Sequence, residues 1–438
     1  MFCGRNILSL SLQPKRNRKA SCRISIHNGI AFLLVTINYA IYNKVKMKKK
    51  RLLAITLVIT LFASIFALAG CGKQKEASNN DEYNGKLVFD HSMDLKYAEL
   101  FSVDYYKGGY KMITITNRDE DTAITDKQSK ILVVPDGMKT PEDVSKDTIV
   151  LNGPVKNMLV ASTPVTSLMN ASGCLENISL VTYDKSSWYI DDVKKAFDDN
   201  RLTYVGDYKA PDFEQIVAAS PSICIYSTML TSATDVAEKF KELNINFILD
   251  QSTYEEHPLG RVEWAKCYAA LCDKEDDAVR MYDEQAAYVD KISKTEKTGK
   301  SVAVFYITSK GKLYVRNADD YVAQMVELAG GKYIFDDLNV GKTGTQTMEM
   351  ESFYSKAKDA DYIIYIWSLG GKPSTLADFT GYSSVLSDMK AVKDGNVWCT
   401  TPDFFQIADT IGSMVNDINK MMTSDSSVNE LTYLKKLK

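Results

Sequence analysis

"HPLGRVEWAKCYAALCDKEDDAVRMYDEQAAYVDKI", residues 257–292, contains no helix breaker between Arg261 and Ile292. The proline at position 258 is compatible with a first helical turn. The pattern therefore predicts one helix of about 30 residues, roughly 45 Å long. Such a helix is too long for a single small lobe, so we expect it to connect two lobes.

Strand-like and helix-like segments alternate on both sides of this stretch. The strand-like segments are rich in Ile and Val; they are "YKMITIT", "KILVVP", "DTIVL", "ISLVTY", "SICIYS" and "INFILD" before it, and "VAVFYI", "DYIIYIW" and "GNVWCT" after it. Amphipathic segments such as "TDVAEKFKELN" and "DDYVAQMVELAGG" separate them. This alternation is typical of α/β lobes with a largely parallel sheet. We expect one lobe over 86–252, a hinge loop and long helix over 253–296, and a second lobe over 297–438.

The N-terminal region carries a targeting pattern. From Met47, "MKKKRLLAITLVITLFASIFALAGC" has a basic start, an apolar run and small residues before a cysteine, and its end matches a bacterial lipobox. We expect 47–70 to be a signal peptide, Cys71 to carry a lipid anchor and 71–85 to be a polar tether. We expect 1–46 to be an upstream extension before the true start. The alternative is a transmembrane helix, since about 19 apolar residues barely span a bilayer.

The charge of the chain is unevenly distributed. Residues 1–70 hold 12 of the 53 Lys and Arg residues and no Asp or Glu. The other 41 basic residues face 56 acidic ones, which gives the rest of the chain a net charge of about −15. This balance argues against nucleic-acid binding, and we expect no nucleic-acid partner.

Motifs for metal binding or catalysis are missing from the sequence. Five of the eight cysteines follow Cys71, without CxxC spacing, so we expect neither a zinc site nor a disulfide framework but buried small hydrophobic residues. Only two histidines, His91 and His257, follow Cys71, which disfavours a histidine-based metal site. "NVGKTG" at 339–344 is not a P-loop, because Asp336 stands where the first glycine is required.

Four segments together carry a resemblance to a known family. They are "TYVGDYKAPDFEQIVAASPSICIYS" (203–227), "YEEHPLGRVEWAKCYAALCDKEDDA" (254–278), "VAQMVELAGGKYIF" (322–335) and "MESFYSKAKDADYIIYI" (350–366). Behind a lipobox, they resemble the solute-binding proteins of ABC importers for iron siderophores, haem and cobalamin, over about 90–405. The resemblance implies two Rossmann-like α/β lobes joined by one long α-helix, with a ligand cleft between them.

The resemblance also implies docking on an ABC permease through one glutamate of each lobe. In the first lobe, "TSLMNASG" places Ser167 at that position, which puts this contact in doubt. In the second lobe, Glu349 and Glu351 lie within a few residues of the expected place. We expect one of them, and Glu351 in preference, to contact the permease.

Candidate ligand-binding residues lie at strand ends and in the loop that leads into the hinge. Arginine suits an anionic siderophore or a carboxylated macrocycle, so Arg261 and Arg316 are candidates; each could equally form a solvated ion pair. His257 is a candidate because it shares its loop with Arg261 and two glutamates, although those glutamates could simply favour the start of the helix. The remaining candidates are Tyr97, Tyr226, Ser227, Thr228, Met229, Tyr254 and Trp367.

These features predict a lipid-anchored, extracytoplasmic protein that captures an iron complex of the ferric siderophore type and delivers it to an ABC permease and its ATPase. We expect a monomer without catalytic residues, resident cofactor or bound metal of its own. A haem or corrinoid ligand is the alternative within the same class. A ligand sensor and a lipid-anchored enzyme are alternatives from other classes, although no nucleophile motif supports an enzyme.

Overall fold

The computed structural model describes residues 85–425 and 427–438. The predicted upstream extension (1–46), the signal peptide (47–70), the lipidated Cys71 and all but the last residue of the tether (71–85) lie outside the described residues. Within the described part of the chain, no helix combines the length and the apolar character needed to cross a membrane.

The first lobe begins with a five-stranded sheet in the order β1-β2-β3-β4-β5. Its strands are β1 (Phe89–Ser92), β2 (Phe101–Tyr106), β3 (Tyr110–Thr116), β4 (Gln128–Val134) and β5 (Ile149–Asn152). All pairs are antiparallel except β4 with β5. The prediction of a largely parallel sheet is therefore wrong for this part of the lobe. β2 and β3 are antiparallel because a short turn joins them. In this turn Gly108 and Gly109 both adopt positive φ, which lets the chain reverse direction.

The second sheet of this lobe is the predicted parallel one, in the order β12-β11-β6-β7-β8. Its strands are β6 (Met158–Ala161), β7 (Ile178–Val181), β8 (Thr203–Tyr204), β11 (Cys224–Ser227) and β12 (Phe247–Asp250), with a small hairpin of β9 (Gly206–Asp207) and β10 (Ala210–Pro211). The connecting helices are α1 (Thr163–Ala171), α2 (Asp191–Asp198), α3 (Phe213–Ala219) and α4 (Thr234–Glu242). Helical crossovers are what parallel neighbours require.

Two helices connect the lobes, α5 (Pro258–Cys272) and α6 (Glu275–Ile292), and they pack against each other. The predicted single helix of about 30 residues is therefore wrong. Asp273 adopts the left-handed conformation that ends α5, and three acidic residues from position 275 onward favour a new helix start through its dipole. Lys111 holds this corner, because its ammonium binds the Ala270 carbonyl and the Asp273 and Glu275 carboxylates.

Helix α5 is buried along all of its 15 residues, including three charged ones. The fully buried Glu263 carboxylate accepts hydrogen bonds from the backbone amides of residues 96, 97 and 98 at 2.8–2.9 Å and from Lys266 at 2.9 Å. Burial alone would raise the pKa of Glu263, but these donors outweigh it and hold the pKa below its usual value. Nearby, Glu255 accepts from the amides of residues 99 and 100 and from the Trp264 indole.

The second lobe is built on a seven-stranded mixed sheet in the order β16-β14-β13-β17-β18-β19, with β15 also beside β13. Its strands are β13 (Ser301–Ile307), β14 (Leu313–Arg316), β15 (Lys332–Tyr333), β16 (Thr345–Met348), β17 (Tyr362–Tyr365), β18 (Val397–Thr400) and β19 (Leu434–Lys436). Its helices are α7 (Tyr321–Leu328), α8 (Met350–Ala357), α9 (Leu376–Thr380), α10 (Lys390–Lys393) and α11 (Ile411–Thr423). The predicted α/β architecture with two lobes is thus confirmed.

The connecting helices belong to both hydrophobic cores. Leu259 and Val262 of α5 pack into the core of the second lobe, whereas Trp264 and Tyr268 pack into that of the first. Helix α11 lies close against α6, and a Cβ on Gly412 would lie only 2.1 Å from the Gln285 carbonyl oxygen. Only glycine permits this approach.

We predict that Glu263→Gln lowers the free energy of unfolding by about 3 kcal/mol, because it leaves the buried Lys266 ammonium without a charged partner. Glu242→Gln is the matched control: Glu242 also pairs with a lysine three residues away, but on the exposed surface of α4. Its effect should stay within about 0.5 kcal/mol. Urea unfolding of both variants measures the difference, and equal losses would contradict the role assigned to Glu263.

The difference in free energy of unfolding between the wild type and Glu263→Gln should depend on pH. Because the pKa of Glu263 is lower in the folded than in the unfolded protein, its stabilising effect is present above the unfolded value of about 4.3 and is lost as the pH falls. The gap between the wild type and Glu263→Gln should therefore be full at pH 7 and shrink below about pH 4.

Candidate ligand-binding cleft

A cavity of about 440 Å³ lies between the two lobes, at the N-terminal end of α5. The first lobe contributes the carboxyl ends of its parallel strands, where ligands bind in open α/β sheets. The lining residues are Ser162, Thr163, Pro164, Tyr183, Ser227, Thr228, Met229, Asp250, Thr253, Tyr254 and Arg261, together with Arg316, Asp320, Tyr321, Thr343, Gly344, Leu369 and Phe405 of the second lobe. The cavity is thus walled by aromatic rings and contains two arginines.

Arg261 lies in the first turn of α5 and is only 3% exposed. Its guanidinium carbon lies over the Tyr321 ring, 4.3 Å from the ring centre, in a cation–π contact. The Nε and Nη1 atoms have no hydrogen-bond partner among the described residues. The side chain is therefore held in place while donors remain unused.

Arg316 ends β14 and is 6% exposed. Its Nη1 atom is 3.6 Å from the Asp320 carboxylate, a distance too long for a good hydrogen bond, and its guanidinium carbon lies 5.2 Å from the Phe405 ring centre. Within residues 85–425 and 427–438, its Nε and Nη2 atoms find no acceptor. A second buried arginine with unused donors therefore lines the same cavity.

The two acidic residues of the cavity accept hydrogen bonds from other groups, and of the two only Asp320 forms a long ion pair with Arg316 among the described residues. Asp250 accepts hydrogen bonds from the Ser252 amide and hydroxyl and from the Tyr268 hydroxyl, the last at 2.7 Å. Asp320 caps α7 and accepts from the amides of Val322 and Gly344. Their carboxylates therefore leave unused N–H groups on both arginines.

Six of the ten predicted ligand-binding residues line this one cavity: Ser227, Thr228, Met229, Tyr254, Arg261 and Arg316. Thr228 donates a hydrogen bond to the Tyr254 hydroxyl at 3.2 Å, and the Arg118 guanidinium lies 3.7 Å from the centre of the Tyr254 ring. Met229 is more than half exposed at the rim. Contact of these side chains with a ligand stays a prediction.

The other four predicted residues lie outside the cavity. Tyr226 is buried in the core of the first lobe, because it precedes Ser227 on β11 and neighbouring side chains of a strand point to opposite faces. His257 caps α5 and stacks on Tyr97, their ring centres 3.8 Å apart, beside the loop that binds Glu263. Burial lowers the pKa of His257. We therefore correct the assignment of Tyr226, Tyr97 and His257 to the cleft.

Trp367, the fourth of these residues, lies in a separate pocket of about 300 Å³ near the C-terminal strand. Its backbone amide donates to the Thr400 hydroxyl, and the Lys372 ammonium lies 4.7 Å from its ring centre. Trp367 follows the end of β17, so it lies at a strand end as predicted, but its side chain does not line the cleft.

Several cavity residues were not predicted. Tyr183 and Asp250 are the last residues of the strand-like segments "ISLVTY" and "INFILD". Because ligand-binding residues were expected at strand ends, the sequence could have identified both. No local sequence pattern marks Tyr321 or Phe405 as a cavity residue, because each lies there through a cation–π contact with an arginine distant in sequence. Among the described residues, no group of three or more His, Cys, Asp or Glu side chains could hold a metal ion.

A segment of the second lobe, residues 403–410, reaches across to the first lobe beside the cavity; we call it the strap. The Gln406 side chain accepts from the Tyr189 amide at 2.9 Å and donates to the Ser187 carbonyl at 2.7 Å. Ser167, at the predicted docking position, is buried and donates to Asp409 of the strap. Ser167 is therefore not part of a docking surface in this structure. In contrast, Glu349 and Glu351 are exposed at the start of α8.

Comparison with known proteins settles the family. Residues 179–404, more than half of the chain, match the family model described as periplasmic binding protein. The chain belongs to the periplasmic binding protein family. As a periplasmic binding protein it has a relative in an uncharacterized lipoprotein of Methanocaldococcus jannaschii, 27% identical over an alignment of 381 residues that covers 82% of this chain and 89% of that protein.

Two solved structures share the fold of this periplasmic binding protein. One is a periplasmic binding protein from Veillonella parvula, with a TM-score of 0.53 and 14% identity over 71% of this chain and 97% of that one. The other is a petrobactin-binding protein from Bacillus subtilis, with a TM-score of 0.51 and 14% identity over 72% of this chain and 99% of that one. At these identities the likeness concerns the fold.

The corrected position of Tyr226 can be tested with two matched substitutions. The Tyr226 hydroxyl is buried and has no hydrogen-bond partner among the described residues, so Tyr226→Phe should raise the free energy of unfolding by about 1 kcal/mol. Tyr268→Phe is the control, because it removes a buried hydrogen bond to a carboxylate and should cost about 2 kcal/mol. Denaturant unfolding compares them. A loss of stability in Tyr226→Phe as large as that in Tyr268→Phe would place the Tyr226 hydroxyl in a polar contact instead.

Proposed function

We propose that this periplasmic binding protein is the lipid-anchored, substrate-binding component of an ABC importer, and that it captures an anionic iron complex of the ferric siderophore type. The protein performs no chemistry on its cargo. It closes on the complex outside the cytoplasm and delivers it to a permease and its ATPase. The lipoprotein relative and the petrobactin-binding protein of similar fold support this proposal.

The observation that carries the proposal is the pair of buried arginines in the cleft, Arg261 and Arg316. Buried guanidinium N–H groups without acceptors destabilise the empty protein, and a bound anion would supply such acceptors. Catecholate, carboxylate and similar oxygens of an iron chelate are acceptors that a guanidinium binds strongly and in a defined plane. The arginines therefore match the anionic periphery of such a complex rather than its metal ion.

The shape and the walls of the cavity support the same class of cargo. Its volume of about 440 Å³ falls in the range of small-molecule sites. Tyr183, Tyr254, Tyr321 and Phe405 offer ring faces and edges for a flat, aromatic ligand. Haem has such a surface as well and carries carboxylates, so it remains the alternative cargo of the same site.

Binding measurements on arginine variants test the proposal. The full chain, extracted from the host membrane in detergent, is titrated calorimetrically with a ferric tris-catechol complex, ferric citrate, haem and cobalamin. Arg261→Gln and Arg316→Gln should each weaken binding of the ferric complex by roughly 10- to 100-fold, as expected for loss of a charge-assisted hydrogen bond. The control is Arg280→Gln, because Arg280 is 68% exposed on α6 and pairs with Asp277.

Arg261→Gln should keep or gain stability when empty, because it removes a buried charge that lacks a full set of partners, whereas Arg316→Gln also removes the ion-pair partner of Asp320. Thermal unfolding without ligand checks this. Opposite effects on binding and stability distinguish a ligand-binding arginine from a structural one. Unchanged affinity in both arginine variants, or no binding of any anionic iron complex, would contradict the proposal.

Docking on the permease makes a separate prediction. Glu351 is exposed at the start of α8, away from the cavity lining, so Glu351→Gln should reduce iron uptake by cells severalfold while the affinity for the cargo stays unchanged. Glu238→Gln, on an exposed position of α4, is the control. Uptake of radioactive iron by cells that also contain the permease and ATPase is the measurement. Normal uptake by Glu351→Gln and by the double variant with Glu349→Gln would remove both residues from the docking site.

A further inference from the structure

The turn that follows α1 and the end of α5 meet in the core of the first lobe. Val155 binds both, since its amide donates to the Leu271 carbonyl at 2.7 Å and its carbonyl accepts from the Asn177 side chain at 2.8 Å. A Cβ placed on Gly173 would lie 3.5 Å from the Asp277 carboxylate, just beyond the end of α5. Two segments about 100 residues apart in sequence are thus held side by side.

Each of these two segments carries a cysteine, and the two thiols meet. Cys174 and Cys272 belong to the same hydrophobic core, where their thiols interact, and both are free in the structure. Cys174 is 0% exposed and Cys272 is 4% exposed. Their contact escaped the sequence analysis, because the spacing of the two residues matches no motif.

We propose that Cys174 and Cys272 form a disulfide bond in the mature protein, which would tie α1 to the end of the connecting helix α5. This inference rests on the extracytoplasmic location in the proposed function, where disulfides form and persist. The oxidant is a protein disulfide of the extracytoplasmic thiol oxidoreductase class. The two cysteines lose two protons and two electrons as their S–S bond forms, and the oxidant's disulfide is reduced to two thiols.

The surroundings of Cys174 differ from those of the other buried cysteines. The hydrogen bond from Cys272, together with a further one from Ser172, lowers the pKa of Cys174 despite its burial. Cys174 is therefore the more acidic of the two thiols in the folded protein. In contrast, burial raises the pKa of Cys224, Cys267 and Cys399, which act as small hydrophobic residues.

Burial also sets the time at which the bond forms. Neither sulfur is accessible in the folded protein, so oxidation must precede closure of the core, during folding after export. The same burial then protects the bond, which should resist reductants until the protein unfolds. Because the bond closes a loop of about 100 residues, it should stabilise the protein mainly by restricting the unfolded chain.

Peptide mapping of the full chain tests the proposal. Cells expressing the protein are quenched with an alkylating reagent, and the protein is isolated and digested with trypsin without reduction. We expect a linked pair of peptides 157–185 and 267–274, with fragment ions that place the link on Cys272 and leave Cys267 alkylated. Cys224 and Cys399 are internal controls and should be alkylated. The linked form should melt about 5 °C higher than protein that was reduced and alkylated in denaturant and then refolded.

A second experiment tests whether the two cysteines can form the bond without the enzymes of the extracytoplasmic compartment. Protein that is reduced, unfolded and refolded in a glutathione redox buffer should form the same linked peptides. Failure in both arms would overturn the disulfide and leave the cargo measurements of the proposed function unaffected. A link that forms only on refolding would overturn the bond in the cell and contradict the extracytoplasmic location. Cys174→Ser should abolish the link in both arms, whereas Cys399→Ser should leave it intact.

Discussion

The buried carboxylate of Glu263 is the interaction on which the rest of the structure depends. It gathers three backbone amides of the loop before β2 and the Lys266 ammonium at a point where no water is available. Glu255 binds the next two amides of the same loop, although burial raises the pKa of this second carboxyl group. Gly260 completes the contact, since a Cβ there would lie 2.9 Å from the Tyr97 carbonyl oxygen.

The binding of the loop before β2 by Glu255 and Glu263 explains why charged residues lie in and just before the first turns of a fully buried helix. The loop before β2 binds one side of the first turns of α5. Arg261 lies on the other side and lines the cleft. Because α5 also packs into the cores of both lobes, the position of Arg261 is fixed by the main tertiary contacts of the molecule. A binding group on such a rigid element is pre-organised, so little conformational entropy is lost when ligand binds.

The sequence predicted the two α/β lobes because hydrophobic strands and amphipathic helices alternate over most of the chain. It did not reveal the break between α5 and α6, because Asp273 takes the left-handed conformation without glycine and no proline marks the corner. Tyr226 and Ser227 show a similar limit: adjacent letters in a strand fall on opposite faces, and only the register shows which one reaches the cleft. The pairing of Arg316 with Phe405, and of Cys174 with Cys272, depends on tertiary structure and leaves no local pattern.

The strap has a consequence for how the empty protein behaves. A single side chain, Gln406, makes the two hydrogen bonds by which the strap holds the loop at Ser187 and Tyr189. The strap is also held by the hydrogen bond from Ser167 to Asp409 and by Ala408, which packs into the core of the first lobe. An unliganded molecule that opens its cleft must break all of these contacts together, so the open form is a minor state, and a cargo shifts this equilibrium only by its difference in affinity for the two forms.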